Sequence, residues 1–499
     1  MKVAKAQNMR NIDKRAIEKF KIPGIVLMEN AAWAVFKRIK ERDAKRITVV
    51  CGIGNNGGDG FALSRLLYIN GYEVNVYLFG DESKIKGDAK TNYDILLNMG
   101  VLIKKRLDEL INDIKFSDIT VDALFGTGLD RDVEGIFKEV IEIINSHSKY
   151  TISVDIPSGI NSDNGFKMGC AVISNETVTF GTLKLGLLLN EGREHAGDVF
   201  VDNISIPKAC IDEEELNITS TYGGYPKHLL KKRHYDVNKG SCGKVAVIGG
   251  CYYMSGAVTL AAKSALRTGS GIVTCVVQGS IVDRIASFLP EATYKVCGET
   301  DGYITLKNED VDEIIKNYDA VAIGVGLGKN QNFISTLSYI LENLTKPLII
   351  DADGLNLLCN IKEKLNFKKC PIILTPHPGE FSRLTGLSID YINKNRVEVA
   401  LKFAKEYECI VLLKGASTVV TDGEMVYINT TGNTGMATGG SGDVLTGIIL
   451  SLVGQGYSPY DAAVLGAYLH GAAGDWAYKK YGNGLVASDI IEYIGQAML

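Results

Sequence analysis

Short apolar runs that end at a glycine or an acid recur along the first part of the chain. They are RITVVCG (46–52), YEVNVYLFG (72–80), SDITVDALFG (117–126) and YTISVDIPSG (150–159), with amphipathic stretches such as GFALSRLLYING (60–71) between them. Runs of this length predict buried strands, and their alternation with helices predicts a parallel sheet with both faces covered.

The second part of the chain repeats this pattern without repeating the sequence. Its apolar runs are GKVAVIGG (243–250), SGIVTCVV (270–277), YDAVAIGVG (318–326), KPLIIDADG (346–354), PIILTPHPG (371–379) and ECIVLLKG (408–415). Residues 211–243 between the two parts are polar, change charge sign and lack a long apolar run. We therefore predict an α/β protein of two domains, 1–222 and 223–499.

Composition narrows the class of protein. Of 499 residues, 46% are hydrophobic and 22% are charged, which is typical of soluble globular proteins. A net charge of -4 gives no long-range attraction for nucleic acid, and no apolar run reaches the ~18 residues of a membrane span. The ten cysteines form no CxxC pair, which argues against zinc and is typical of a reducing compartment. We expect a cytoplasmic protein without nucleic-acid or membrane partners.

A glycine turn follows the first predicted strand. The segment GIGNNG (52–57) fits the GxGxxG pattern of dinucleotide-binding folds, and Asp81 follows the next strand. However, NNGGD (55–59) also presents the polar side chains of Asn55, Asn56 and Asp59, which suits a polar ligand or a cation. The alternative interpretation is that these residues cap the following helix.

Two more predicted strands carry an acid where they end, Asp122 and Asp155. Ligands of open α/β sheets bind at the carboxyl ends of the strands. These acids and the NNGGD segment therefore predict one convergent site. In it a carboxylate could move a proton, and Asn56 and Ser158 could coordinate a cation.

Five motifs of the first domain together resemble the NAD(P)H-hydrate epimerase family, whose members interconvert the R and S epimers of hydrated NAD(P)H. The motifs are PGIVLMENA (23–31), GNNGGDG (54–60), DALFGTGL (122–129), SVDIPSG (153–159) and TFGTLKLGLL (179–188). The resemblance covers nearly all of residues 1–215 and implies a Rossmann-like, three-layer parallel sheet. Ile53 and Ala32 stand where proline and glycine are usual.

The epimerase resemblance also implies site residues. The hydrated dinucleotide would contact Asn55, Asn56, Gly57, Gly58, Asp59, Gly126, Thr127, Gly128, Leu129, Asp130, Arg131, Asp132 and Asp155. A potassium ion would be held by Asn56, Asp122 and Ser158. Asp155 is our candidate acid/base, because epimerisation by ring opening or by loss and return of water needs proton transfer. The sequence leaves both routes open.

The second domain contains an unusual glycine cluster, GNTGMATGGSGDVLTGI (432–448), whose single acid is Asp443. Backbone N–H groups of residues 439–442 would face an anion at the start of a helix. The spacing is not that of a P-loop, and Lys414 is the nearest lysine at a strand end. Asp443 is placed to accept a hydroxyl proton while the loop binds a phosphoryl group. Alternatively, it stabilises the first turn of the helix.

Two further segments lie at predicted strand ends. TPHPGE (375–380) uses two prolines to fix a loop with His377 and Glu380, and YMSGA (253–257) begins a helix. With DADGLNLL (351–358), GVGLG (324–328), KGASTVV (414–420) and the glycine cluster, they resemble the ribokinase-like family. Within that family they are similar to the ADP/ATP-dependent NAD(P)H-hydrate dehydratases, over about residues 225–499.

The dehydratase resemblance implies two sets of contacts. The nucleotide, ADP or AMP, would contact Lys414, Gly415, Ala416, Ser417, Thr418 and Gly442, and the substrate would contact Ala257, Gly326, His377 and Asp443. Thr434, Ser417 and Gly354 stand where proline, glycine and alanine are common.

The implied dehydration begins with proton transfer from the C6 hydroxyl of the S-hydrate to Asp443. The oxygen attacks the terminal phosphate of ADP, and the ring nitrogen then expels phosphate, which leaves NAD(P)H, AMP and inorganic phosphate. Magnesium would neutralise the nucleotide phosphates. The sequence does not separate ADP from ATP or NADH hydrate from NADPH hydrate.

We therefore predict a bifunctional repair enzyme with potassium in the first domain and magnesium with ADP in the second. We also expect a homo-oligomer. One alternative is a ribokinase-like small-molecule kinase fused to a non-catalytic nucleotide-binding domain, which would release a stable phosphorylated product. The other is a regulatory module that binds NAD(H) without turnover.

Overall fold

The computed structural model describes residues 1–499, which form two compact units, Met1–Ile218 and Thr219–Leu499. The division lies a few residues before the predicted position at 222. A short strand, named β10 below, occupies Ile218–Ser220 at this point of the chain. Each unit has its own hydrophobic core.

The N-terminal unit alternates strands with helices over most of its length. Its strands are β1 (Lys2–Ala4), β2 (Arg46–Cys51), β3 (Glu73–Leu78), β4 (Ile103–Lys104), β5 (Ile119–Ala123), β6 (Thr151–Val154), β7 (Glu176–Phe180), β8 (Leu183–Lys184) and β9 (Asp198–Asp202). Its helices are α1 (Ala6–Glu18), α2 (Gly24–Lys40), α3 (Asn55–Ile69), α4 (Gly87–Asn98), α5 (Leu107–Phe116), α6 (Ile136–His147), α7 (Asn190–His195) and α8 (Lys208–Asp212).

The main sheet of this unit has the strand order β4-β3-β2-β5-β6-β7-β9, and every neighbouring pair is parallel. Successive residues of β2 point to opposite faces, as a strand requires. Val49 packs in one core with Phe61 of α3, and Val50 packs in another with Ile114 of α5. Helices therefore cover both faces, which confirms the predicted three-layer arrangement.

The C-terminal unit continues after β10 (Ile218–Ser220) with strands and helices in alternation. Its strands are β11 (Lys244–Ile248), β12 (Ile272–Gln278), β13 (Thr293–Thr300), β14 (Tyr303–Thr305), β15 (Ala320–Ile323), β16 (Leu348–Ile350), β17 (Ile372–Leu374), β18 (Ile410–Leu413), β19 (Thr418–Thr421) and β20 (Val426–Asn429). Its helices are α9 (Ser255–Thr268), α10 (Val282–Phe288), α11 (Asn308–Asn317), α12 (Phe333–Asn343), α13 (Asp353–Leu358), α14 (Pro378–Thr385), α15 (Ile389–Lys394), α16 (Arg396–Glu406), α17 (Ser441–Gly454), α18 (Pro459–Tyr481) and α19 (Ala487–Met498).

The sheet of this unit runs β14-β13-β12-β11-β15-β16-β17-β18-β19-β20. Its parallel centre contains the six predicted strands. The antiparallel pairs at its two sides were not predicted from the sequence. They are β13 with β14, β18 with β19, and β19 with β20. Asp301 and Gly302, both at positive φ, form the two-residue turn between β13 and β14. Aspartate followed by glycine is a common hairpin signal, and it recurs at Asp422 and Gly423 before β20.

Helix α17, which follows the glycine cluster, packs closely against α9. A Cβ atom on Gly447 would lie 2.0 Å from the carbonyl oxygen of Ala261 and 2.0 Å from Oγ of Ser264. The helices therefore meet through backbone at this point, and this contact fixes the position of the N-terminus of α17.

None of the helices combines the length and the apolar character that crossing a lipid bilayer requires.

We expect Gly447→Ala to destabilise the C-terminal unit by about 1–3 kcal/mol, because the added methyl group overpacks the contact between α9 and α17. Gly495→Ala in α19 is the matched control, since a Cβ atom there meets nothing within 4 Å. The control should leave stability unchanged or raise it by about 0.5–1 kcal/mol, because alanine favours helix. Calorimetric unfolding of the three proteins measures both effects, and equal melting temperatures for the two variants would contradict the packing argument.

Candidate active sites

The N-terminal unit contains a cavity of about 1000 Å³ at the edge where β2, β5 and β6 end. Its wall brings together many of the residues predicted to contact substrate: Asn55, Asn56, Asp59, Gly126, Thr127, Gly128, Leu129, Asp130, Arg131, Asp132 and Asp155. Parallel strands place their carboxyl ends at one edge, so distant segments converge there. The contacts with substrate stay predictions.

Other predicted residues lie behind the cavity wall. A Cβ atom on Gly57 would lie 1.9 Å from the carbonyl oxygen of Gly52, and one on Gly58 would lie 2.8 Å from Ala89. These glycines therefore let the start of α3 pack against the preceding turn and against α4. Asp122 and Ser158 are fully buried below the wall.

Asp155 follows β6 and adopts a left-handed backbone conformation, with a φ of 67°. Such a conformation is strained for a residue with a side chain, and strain of this kind is concentrated at functional sites. Its Oδ1 accepts hydrogen bonds from Nζ of Lys184 at 2.5 Å, from Oγ1 of Thr179 at 3.2 Å and from the N–H of Phe180 at 3.2 Å. Lys184 is 1% exposed. Asp155 is therefore held in place by an ammonium group and two neutral donors.

Two more carboxyl groups, Asp13 of α1 and Asp59 of α3, line the same cavity. Burial and the nearby Asp155 raise the pKa of Asp13 to about 6, although Lys184 opposes the shift. Burial, Asp155 and Asp13 raise the pKa of Asp59 well above its ordinary value, again against Lys184. The sequence analysis did not identify Asp13, which lies in no motif, or Lys184, which lies inside the quoted segment TFGTLKLGLL.

The residues predicted to hold potassium do come together. Asp122 accepts hydrogen bonds from Oγ of Ser158 at 2.6 Å, from the N–H of Ser158 at 2.8 Å and from Oγ of Ser153 at 2.8 Å. Burial raises the pKa of Asp122, and these donors oppose the shift. The amide nitrogen of Asn56 is buried without a hydrogen-bond partner. A buried carboxylate with neutral donors only fits a monovalent cation.

In the C-terminal unit, the glycine cluster ends at the first turn of α17. Gly440 precedes the helix with a φ of 88°, a left-handed conformation that glycine adopts without a Cβ penalty. The N–H of Ser441 donates to the carbonyl oxygen of Thr438 at 3.4 Å, so it is less available than predicted. The N–H groups of Gly442 and Asp443 make no backbone hydrogen bond, as expected for the first turn of a helix.

Lys414, at the end of β18, is held by a carboxylate from another strand end. Its Nζ lies 2.8 Å from Oδ1 of Asp351, which is fully buried, and 3.8 Å from Oε2 of Glu380. The other oxygen of Asp351 accepts a hydrogen bond from Oγ1 of Thr446 at 2.7 Å. A Cβ atom on Gly442 would lie 3.4 Å from the same Nζ. The lysine therefore reaches the start of α17.

Asp443 belongs to this group of charges. Burial and the carboxylate of Asp351 raise the pKa of Asp443 to about 7, while Lys414 lowers it. Burial alone would lower the pKa of Lys414, but Asp351 and Glu380 raise it above its ordinary value. At neutral pH the site thus holds a fixed ammonium group beside a carboxyl group that can gain or lose a proton. A pKa near the working pH suits a general base.

His377 has a structural role that the sequence analysis did not assign. It is the N-cap of α14, and its Nδ1 accepts hydrogen bonds from the N–H groups of Gly379 at 3.0 Å and Glu380 at 3.3 Å. Glu380 in turn accepts the N–H of His377 at 2.7 Å, which completes a capping box. Burial and Lys414 lower the pKa of His377, so the ring is neutral at neutral pH.

The remaining predicted contacts lie at the same edge of the sheet. Ala257 is in the first turn of α9 and Gly326 follows β15, and a Cβ atom on Gly326 would lie 2.9 Å from that of Ala257. Gly415, Ala416, Ser417 and Thr418 form the turn between β18 and β19, where Oγ1 of Thr418 donates to the carbonyl oxygen of Gly415 at 2.9 Å. Neighbouring parallel strands β11, β15 and β16 bring Ala257 and Gly326 to the edge that also carries Asp351.

His470 of α18 was not identified from the sequence and lies in no motif. Its Nε2 is 3.2 Å from Oγ of Ser441, the first residue of α17. Burial lowers the pKa of His470 to about 4, so the imidazole is neutral and joins α18 to the glycine cluster by a hydrogen bond.

Comparison with known proteins assigns both units. Residues 24–186 match the family described as YjeF-related protein N-terminus, and residues 245–496 match the family described as NAD(P)H-hydrate dehydratase. The bifunctional NAD(P)H-hydrate repair enzyme Nnr of Thermofilum pendens is 38% identical over 100% of this chain and 96% of its own length. The chain belongs to the family of bifunctional NAD(P)H-hydrate repair enzymes.

Further members of this repair-enzyme family match at similar coverage. The relative from Moorella thermoacetica is 38% identical over 99% of this chain and 96% of its own length. The relative from Escherichia coli is 33% identical over 97% of this chain and 92% of its own length. One similar solved structure is the ADP/ATP-dependent NAD(P)H-hydrate dehydratase from Bacillus subtilis, co-crystallised with ATP and Mg²⁺. Its sequence is 30% identical to this chain. The match covers 55% of this chain and 96% of the dehydratase chain, with a TM-score of 0.48.

The raised pKa of Asp443 predicts a pH-dependent stability difference for Asp443→Asn. A carboxyl group whose pKa rises from 3.8 to about 7 on folding stabilises the protonated fold, and this stabilisation is lost as pH rises from about 4 to 7. The asparagine variant does not lose it. It should therefore gain on the order of 2 kcal/mol over the wild type between pH 4 and pH 8, allowing for partial exposure.

Melting temperatures at pH 4 and pH 8 measure this difference. Asp390→Asn is the control, because Asp390 is 75% exposed and pairs only with Lys394. The control should show the same offset from the wild type at both pH values. A pH-independent offset for Asp443→Asn would contradict the proposed shift.

Proposed function

We propose that this chain restores hydrated NADH and NADPH in two steps, one in each unit. The N-terminal unit epimerises the R and S hydrates, and the C-terminal unit dehydrates the S-hydrate with ADP. The chain is a member of this repair-enzyme family. The observation that best supports the second step is the geometry around Asp443. A carboxyl group with a pKa of about 7 lies at the start of α17, beside the paired Lys414 and Asp351.

In the epimerase step, the hydrated nicotinamide ring would occupy the cavity of about 1000 Å³ in the N-terminal unit. The amides of Asn55 and Asn56 and the loop 126–132 would bind polar groups of the dinucleotide. Asp155 is the proposed proton acceptor, since it lines the cavity and Lys184 and two further donors fix its position. Both possible routes of epimerisation require such a group.

A potassium ion is proposed below the cavity wall, held by oxygens of Asn56, Asp122 and Ser158. The ion would supply a positive charge that offsets the buried carboxylate of Asp122 and orders the segments carrying Asn56 and Ser158. These segments are the start of α3 and the loop after β6, and both contribute to the cavity. The fully buried carboxylate of Asp122, which receives hydrogen bonds from neutral groups only, supports this proposal.

In the dehydratase step, Asp443 would take the proton of the C6 hydroxyl of the S-hydrate. The hydroxyl oxygen then bonds to the terminal phosphorus of ADP, and AMP leaves. The lone pair of the ring nitrogen expels inorganic phosphate from C6, and loss of a proton from C5 gives NAD(P)H. Magnesium bound to the nucleotide would reduce the negative charge of the phosphates.

The residues around Asp443 would position the two substrates. The unpaired N–H groups at the start of α17 and the ammonium group of Lys414 would face the transferred phosphoryl group. The turn 415–418 would contact the nucleotide, and Ala257, Gly326 and His377 would contact the hydrate.

The ten cysteines are all unpaired, which supports a reducing cytoplasm as the site of action. A homo-oligomer stays our expectation.

We expect purified protein to restore the near-ultraviolet absorbance of NADH when it is given a mixture of R and S hydrates, ADP and Mg²⁺. Consumption of both epimers, with AMP and free phosphate as products, is the expected result. Asp443→Ala should lower dehydration by at least about 1000-fold and leave epimerisation intact, because it removes only the base of the C-terminal unit. Asp155→Asn should do the reverse.

The products separate this proposal from its alternatives. A stable phosphorylated product without NADH would indicate a small-molecule kinase, and tight NAD binding without turnover would indicate a regulatory module. If the S-hydrate alone were consumed, the dehydratase assignment would stand and the epimerase assignment would be wrong. Epimerisation is followed by chromatography of the two epimers without ADP.

The proposed potassium site predicts an ion-specific effect on stability. Replacing choline with K⁺ at constant ionic strength should raise the melting temperature of the N-terminal unit, because a buried carboxylate gains a counter-charge. Asp122→Asn should abolish this rise, since it removes the charge that attracts the ion. Lys84→Gln on the exposed rim is the control for surface charge and should keep the rise. The same rise in Asp122→Asn would place the ion elsewhere.

A further inference from the structure

The cavity of the N-terminal unit contains more titratable groups than one acid/base requires. Asp13 from α1, Asp59 from α3, Asp155 after β6 and Lys184 at the end of β8 all line it. One ammonium group therefore faces three carboxyl groups in a largely enclosed space. Because like charges in such a space repel one another strongly, the three cannot all be ionised at low cost.

Hydrogen bonds distinguish these carboxyl groups. Asp155 has three donors on one oxygen, and Lys184 is among them. Lys184 is further fixed by a hydrogen bond of 2.6 Å to the carbonyl oxygen of Phe180. No protein donor contacts the side chain of Asp13 or of Asp59, although both reach the cavity. Asp155 thus has an ammonium partner at close range, whereas the other two carboxyl groups have no hydrogen-bond donor from the protein.

The electrostatic balance agrees with this distinction. Burial raises the pKa of Asp59 well above its ordinary value, with further increases from Asp155 and Asp13. The pKa of Asp13 rises less, to about 6. The other charged groups of the wall are Arg10, Asp81, Lys84, Asp88 and those of residues 130–134. Among the groups that face Asp59 directly, Lys184 is the one that opposes its protonation.

Epimerisation at C6 needs a proton donor and a proton acceptor at the same time. In ring opening, an acceptor takes the proton of the C6 hydroxyl and the C6–O bond becomes a carbonyl. The C6–N1 bond breaks with its electron pair going to N1, and a donor protonates N1. Rotation about C5–C6 and the reverse steps close the ring on the other face, and both groups regain their first protonation states.

We propose that Asp59 is the proton donor of this pair and Asp155 the acceptor, and that Asp13 and Lys184 are positioning residues that keep the pair in complementary protonation states. If epimerisation proceeds through loss of water, Asp59 protonates the leaving hydroxyl and regains a proton from the returning water. Asp13 lies outside residues 24–186, the part of the chain that matches the epimerase-type family. The inference rests on the proposed epimerase function.

The pH profile of epimerisation tests the role of Asp13. A donor must be protonated, so the rate should fall as pH rises through the pKa of Asp59. Asp13→Asn removes a neighbouring negative charge, which should move this fall to lower pH by about one unit. Glu18→Gln is the matched control, because it makes the same change of charge on the same helix at a residue that is 66% exposed. It should leave the profile in place.

Asp59→Asn tests the donor itself. It should lower the epimerisation rate by at least about 100-fold at pH values where Asp59 is protonated, while dehydration of the pure S-hydrate continues and reports a folded C-terminal unit. An infrared band of a protonated carboxyl group at neutral pH should be present in the wild type and in Glu18→Gln. Asp59→Asn should lose the intensity of one protonated carboxyl group relative to both, while the contribution of Asp443 remains. This comparison does not depend on turnover.

The outcomes are distinct. If the wild type does not interconvert the epimers, the epimerase function itself is wrong. If the wild type interconverts the epimers but Asp59→Asn keeps the wild-type rate, the proposed role of Asp59 is wrong. If Asp13→Asn is slower without any displacement of the pH profile of epimerisation, the proposed role of Asp13 is wrong. Thermal unfolding of each variant checks that the N-terminal unit is folded.

Discussion

A carboxylate buried at the end of a parallel strand must be balanced by positive charge or by hydrogen-bond donors, and both units of this protein depend on that constraint. In the N-terminal unit Lys184 balances Asp155, and in the C-terminal unit Lys414 balances Asp351. Removing charged groups from water is costly unless they are paired at close range. These ion pairs therefore fix the strand ends, and the loops that form each site are built around them.

The same constraint explains why each site contains carboxyl groups with a raised pKa. One lysine neutralises one carboxylate, and the next carboxyl group in the same space has no further cation. Asp59 is in this position in the N-terminal unit and Asp443 in the C-terminal unit. Two unrelated strand orders thus produce a fixed ion pair beside a carboxyl group with a raised pKa, which is an arrangement that suits proton-transfer chemistry.

The sequence predicted the strand ends well because apolar runs followed by an acid or glycine are local signals. It therefore identified Asp122, Asp155 and Asp443 and the six central strands of the C-terminal sheet. It could not predict the partners, because Lys184 lies 29 residues from Asp155 and Lys414 lies 63 residues from Asp351. Pairing at such separations is decided by strand order. Asp13 was missed for a similar reason, since its helix carries no motif.

Asp122 shows what happens when the chain supplies no lysine. It is fully buried and is surrounded by serine and backbone donors, which share its charge without cancelling it. A lysine at this position would balance the carboxylate permanently. The monovalent cation proposed above would supply the same charge and leave the serine donors in place. The contrast with Asp155 and Asp351 is the physical argument for assigning the ion to Asp122 and not to the other buried acids.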